Sequence, residues 1–167
     1  MINLRTPIDE DAIRSLKVGD VVSISGYIYC GRDAVLPKIV ALAKNGSLEE
    51  QGIDLKGAVI FHTAVSPAGV GPTSSNKLEI ESSFPDLSEA GVKLHLGKGA
   101  ISEKTICSLK DNNSVFAVIP PVTALLESKT TERELVAFPE LGMEALYRVK
   151  VDGYQAIIAA ANGESIY

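Results

Sequence analysis

Val21-Val22-Ser23-Ile24-Ser25-Gly26-Tyr27-Ile28-Tyr29 runs directly into Cys30-Gly31-Arg32-Asp33, and that turn into Ala34 to Lys44. The first segment alternates and is rich in β-branched and aromatic residues, the pattern of a strand. Gly26 within it marks a bulge or a close backbone approach. The third segment carries Val35, Leu36, Ile39, Val40, Leu42 and Ala43, the spacing of a helix. Asp33 is its expected N-cap. Pro37 fits only near a helix start, and Asn45-Gly46 ends the run. Strand, glycine turn and helix in succession are the repeating unit of α/β architecture.

The same alternation continues outward. Residues 2–6 read as a short strand and Asp9 to Leu16 as a short helix, its acids first and its bases last, as the helix dipole favours. Gly57 to Thr63 is a continuous apolar run of the buried-strand type. Residues 64–77 hold Pro67, Gly69, Gly71 and Pro72 and form the densest loop signal. Further on, Pro85 to Gly91 and Ser102 to Lys110 read as helices, and Val92 to Leu96 and Ser114 to Ile119 as strands. Val122 to Ser128 reads as a short helix behind Pro120-Pro121. Tyr147 to Val151 and Tyr154 to Ala160 flank Asp152-Gly153, which predicts a two-residue hairpin. Ser165 to Tyr167 is a final edge strand. The predicted class is mixed α/β, helices covering a sheet, in one domain over residues 1–167.

Composition narrows the function. A net charge of −5 opposes nonspecific binding to nucleic acid or an anionic membrane. No apolar run approaches the roughly 18 residues of a membrane span, and the amino terminus lacks the pattern of a secretory signal. A cytoplasmic location is expected. Cys30 and Cys107 form no CxxC pair, so they are read as reduced thiols and not as metal ligands. His62 falls in an apolar run and is read as a satisfied core histidine, and His95, within Lys93-Leu94-His95-Leu96, is read as lying on a strand face. No hydrolase triad, P-loop or GxGxxG is present.

Three glycine turns carry the chemistry: Gly31-Arg32-Asp33, Gly71-Pro72-Thr73-Ser74 and Gly97-Lys98-Gly99. Each follows a strand, where open α/β sheets place ligands. Together they offer Arg32, Lys77 and Lys98 as cations and Thr73, Ser74 and Ser75 as hydroxyls. A dicarboxylate needs two cationic partners, and Arg with Lys is a suitable set.

The order of these motifs resembles the β subunit, or C-terminal domain, of class I iron–sulfur fumarases and L-tartrate dehydratases. The likeness begins at Leu4-Arg5-Thr6-Pro7 and continues through Leu16 to Val22, Gly31-Arg32-Asp33-Ala34, Leu55 to His62 and Gly71-Pro72-Thr73-Ser74-Ser75. It resumes at Gly91-Val92-Lys93, Gly97-Lys98-Gly99, Glu140 to Ala145 and Asn162-Gly163-Glu164-Ser165-Ile166-Tyr167. The resemblance implies a swivelling β/β/α domain. It also implies an α-subunit partner whose cysteines hold a [4Fe–4S] cluster, a Lewis acid toward the substrate. The expected assembly is a hetero-oligomer, with a homodimer as the form of the isolated chain.

By motif, Arg32, Ser74, Lys77 and Lys98 are the implied substrate-binding residues, with Thr73 and Asp33 as catalytic ones. The implied reaction is reversible hydration of a small dicarboxylate, fumarate/malate first and tartrate next. The sequence departs from the family at Arg32-Asp33-Ala34-Val35-Leu36, where the usual pattern is Arg-Asp-Ala-Ala-His. Lys77 stands where arginine is usual, and Pro120-Pro121 replaces Gly-Gly. A diverged, non-catalytic domain that binds a carboxylate or a partner protein is the alternative.

Overall fold

The computed structural model describes residues 1–31, 34–62, 65–66, 69–70, 81–97, 101–119 and 130–166. Strands β1 (Ile2–Arg5), β2 (Val21–Cys30), β3 (Val59–Phe61), β6 (Leu94–Gly97), β7 (Val115–Val118), β8 (Thr130–Ala137), β9 (Leu146–Ala161) and β10 (Glu164–Ser165) form one eight-stranded sheet. β4 (Val65–Ser66) and β5 (Gly69–Val70) pair separately as a small antiparallel hairpin. The helices are α1 (Glu10–Arg14), α2 (Leu36–Lys44), α3 (Phe84–Glu89) and α4 (Glu103–Asp111). The mixed α/β class follows directly.

β2, β3, β6 and β7 are parallel neighbours. β9 runs antiparallel to both β7 and β2, so these five strands close into a ring. The period of two then sorts side chains inside and out. Val22, Ile24 and Ile28 of β2, Val59 and Phe61 of β3, Leu94 and Leu96 of β6, and Val149, Val151, Tyr154, Ala156 and Ile158 of β9 fill the interior. Ile60 faces outward under α2 and α3, in a second cluster with Leu36, Ile39, Ile53 and Leu87. Phe84, Leu109 and Phe116 form a third.

Two elements differ from their sequence expectations. Asp152-Gly153 is not a hairpin; β9 passes straight through it. Val151 pairs with Gly26 and Tyr154 with Ile24, so Asp152 and Gly153 together stand opposite Ser25 in a bulge. Gly153 donates its N–H to Ser25 Oγ at 3.0 Å. The inserted residue explains the side-chain phase: 149 and 151 point inward before it, 154, 156 and 158 after it. The two-residue turn lies instead at Asn162-Gly163, with φ of 55° and 83° between β9 and β10. The second difference is at α2, whose N-cap is Val35 and not Asp33, with Pro37 in its first turn. The proline sets the helix start close to itself.

Gly26 is required twice over. Its φ is +110°, and a Cβ there would run into Thr6, which follows neighbouring β1. Gly26→Ala is expected to cost about 1–3 kcal/mol. Urea midpoints check this, and an unchanged midpoint would contradict the tight packing.

Candidate functional site at the carboxyl edge of the sheet

Parallel strands bring their carboxyl ends to one edge. Gly31 N donates to Phe61 O at 3.0 Å, His62 N to Leu96 O at 3.0 Å, and Ile119 N to Gly97 O at 3.3 Å. The row therefore reads Gly31, His62, Gly97 and Val118 across β2, β3, β6 and β7. Gly31 and Gly97, which lead into two of the motif turns, lie two strand spacings apart, about 10 Å. Arg32, Asp33, Thr73, Ser74, Lys77 and Lys98 themselves lie outside the described residues. Their described neighbours in the chain are Gly31, Ala34, Gly97 and Ile101, the backbone of Val70, and Glu81.

Glu81 ties two of these flanks together. Its Oε1 accepts from Ser102 N at 2.8 Å and from Thr105 Oγ1 at 2.9 Å. Ser102 is the N-cap of α4, so the carboxylate sits where the helix dipole favours negative charge. The residue that follows segment 71–80 is thus held against the helix that follows segment 98–100.

Gly31 is closely approached by the protein itself. A Cβ at Gly31 would lie 2.8 Å from Val35 Cγ1 and 3.5 Å from Leu36 Cδ2. Leu36, at the position of the family histidine, is fully buried in the α2 core.

Sequence reasoning missed a polar chain beside this edge. His62 follows β3 and His95 lies within β6, both on the outer face under α3. Phe84 of that helix stacks on His95 at 4.3 Å and lies 4.6 Å from His62. One helical turn on, Ser88 Oγ hydrogen-bonds His95 Nε2 at 2.9 Å. His95 Nδ1 in turn shares a hydrogen bond with His62 Nε2 at 3.0 Å. His95 lies on a strand face as expected and is bonded through both ring nitrogens. His62, expected to be satisfied, is so at Nε2 only: its Nδ1 is buried and makes no hydrogen bond among the described residues. The apolar run 57–63 signals burial but says nothing of how a ring nitrogen is partnered.

Burial keeps both rings neutral. Desolvation pushes His95 down to about 3, and desolvation followed by the proximity of His95 holds His62 well below its usual range.

The donor set does not suit an iron–sulfur cluster. The chain has two cysteines. Cys30 is buried in the ring interior, where desolvation pushes its thiol up, and Cys107 is exposed on α4. Among the described residues no group of three His, Cys, Asp or Glu side chains could hold a metal ion. No helix there is long and apolar enough to cross a membrane.

The family described as fumarase C-terminus matches residues 1–167. A protein of Geobacillus stearothermophilus with the provisional name fumarate hydratase class I is 29% identical over 180 residues, covering 100% of this chain and 34% of its own. The L(+)-tartrate dehydratase subunit beta of Escherichia coli K12 is 28% identical over 169 residues, 94% of this chain and 81% of its own. Fumarate hydratase 2 of Leishmania major is 28% identical over 181 residues, 99% and 31%. The chain thus spans about a third of these fumarate hydratases and about four-fifths of the tartrate dehydratase β subunit.

Proposed function

Because this chain belongs to the fumarase C-terminus family of hydro-lyases, we propose that it is the β-type component of an enzyme that reversibly hydrates a small dicarboxylate. Fumarate/malate is the first substrate to test and tartrate the second. The observation that carries the reading is the sheet order β2-β3-β6. It brings the strand ends that lead into Gly31-Arg32-Asp33 and Gly97-Lys98-Gly99 to one edge. In this reading a cation from each turn, Arg32 and Lys98, engages one carboxylate-bearing ligand. Ser74 and Lys77 complete the proposed binding set, with Thr73 and Asp33 in proton transfer. A threonine hydroxyl is a weak base, so Thr73 depends on neighbouring cations to lower its pKa.

The cluster belongs, in this reading, to an α-type partner, since two thiols cannot hold it here. This chain would close over the partner's site and contribute carboxylate recognition.

The test is anaerobic co-expression with an α-type subunit, then hydration assays on fumarate, mesaconate and tartrate. Turnover that requires both chains is the expected result. An intact complex without turnover on any of them would favour the non-catalytic reading, which the leucine at position 36 supports. In an active complex, Arg32→Ala is expected to lower kcat/KM ten- to a hundredfold, the loss of one charge-assisted contact of about 1.5–3 kcal/mol. Unchanged kinetics would remove Arg32 from the site.

A further inference from the structure

The unpartnered nitrogen of His62 is the most unusual polar atom of the carboxyl edge. Buried polar groups are almost always hydrogen-bonded, and an exception calls for an explanation, a functional role among them. His62 is 5% exposed, and its other ring nitrogen is already held by His95. It sits in the row between Gly31 and Gly97. We infer that His62 Nδ1 is a ligand-binding atom that hydrogen-bonds an oxygen of a small hydroxy- or dicarboxylic acid, with His95 and Ser88 as positioning residues linked to its tautomer. The inference rests on the hydro-lyase reading for the identity of that acid.

The hydrogen-bond chain has two self-consistent states. In the first, the Ser88 hydroxyl donates to His95 Nε2. The single proton of neutral His95 is then on Nδ1 and donates to His62 Nε2. The proton of neutral His62 must then be on Nδ1, which becomes a donor. In the second, His95 Nε2–H donates to Ser88 Oγ, His95 Nδ1 accepts from His62 Nε2–H, and His62 Nδ1 presents a lone pair. An ionised carboxylate only accepts hydrogen bonds, so it selects the first state. A hydroxyl can use either. Ser88, whose hydroxyl can donate or accept, closes the chain in either state and lets the bound group select what His62 offers. Because burial holds the rings neutral, the contact acts through hydrogen-bond geometry and not through charge.

His62→Gln isolates the effect. The longer amide side chain can still reach His95, while Nδ1 is lost. In the assembled enzyme the expected result is a KM about tenfold higher, kcat within about twofold, and a thermal midpoint within a few degrees of wild type. Ser88→Ala is expected to raise KM in the same direction. Unchanged KM in the active H62Q assembly would overturn the inference and leave the hydro-lyase reading intact. If the wild-type assembly turns over no dicarboxylate, the hydro-lyase reading fails. Imidazole 15N spectra of the full chain titrated with L-malate then decide separately. A saturable shift at His62 Nδ1 supports ligand binding there. A signal that malate does not move overturns the inference.

Discussion

Acidification from pH 6.5 to pH 4.5 is expected to remove roughly 2 kcal/mol of folding stability through His95, with His62 adding a loss in the same direction. Both rings are buried and neutral in the fold, with pKa values pushed below the ordinary histidine range. In the unfolded chain they titrate near their usual value of about 6.5. A base whose folded pKa is depressed contributes its stability above the unfolded pKa and loses it as pH falls toward the folded one. Below pH 6.5 the unfolded chain therefore binds up to two more protons than the native one. The slope approaches about 1.4 kcal/mol per pH unit for each ring.

Urea unfolding at half-unit pH intervals measures it. The carboxylates add their own acid dependence, so the comparison is with the H62Q/H95Q double variant, which keeps them. A wild-type slope between pH 6 and 5 no steeper than that of the double variant would show that the rings are not held neutral.

The second large effect is at Phe61. It is fully buried in the ring interior at the end of β3, edge-on to Tyr154 of β9 with ring centroids 6.5 Å apart and planes at 87°. Phe61→Ala removes a large apolar volume from a closed interior. The surrounding strands are hydrogen-bonded to neighbours on both sides and cannot collapse into the gap. The expected cost is about 3–5 kcal/mol. Phe61→Leu keeps most of the volume and is expected to lose no more than about 1.5 kcal/mol. Denaturant midpoints at matched slopes check both. A loss below about 1 kcal/mol for the alanine variant would mean that the ring relaxes freely.

Phe61 also shows why much of this fold could be read from the sequence. Residues 58–62 announce a strand because they are buried throughout, and 21–29 because alternate residues are, and burial writes itself as apolar pattern. Asp9 and Ser102 announce helix starts because each caps one, accepting from Ala12 N and Thr105 N. β8 escapes this logic. Thr130 to Val136 line a strand that is mostly exposed. It is held by polar contacts to other strands, Tyr27 OH to Glu132 at 3.0 Å and an Arg148–Glu134 ion pair. Such cross-strand pairing leaves no periodicity in the strand itself. Asp152-Gly153 misleads for a related reason. The dipeptide encodes a local backbone shape that suits a turn, and a neighbouring strand uses that shape for a bulge.

The site divides the same way. Glycine turns after strands mark an edge, and sheet order brings Gly31 and Gly97 to it. Motif order, and not local physics, singles out Arg32, Thr73 and Lys98. The hydrogen bonds joining His62, His95 and Ser88 connect three elements, and no local pattern in the chain foretells them.

Ring closure by β9 has a consequence for how the molecule is made. Val21 pairs with Ile157 and Cys30 with Tyr147, so nearly the whole chain separates the partners of the closing seam. Such distant pairings form late and slowly. On the ribosome, β2, β3, β6 and β7 emerge first as an open parallel sheet with apolar residues on the face that β9 will cover. Until residue 161 clears the exit tunnel, that face remains open to other chains. Synthesis is therefore the moment of greatest exposure to aggregation. Arrest before β9, more than damage to any single helix, is what would commit the nascent polypeptide to chaperones or proteolysis.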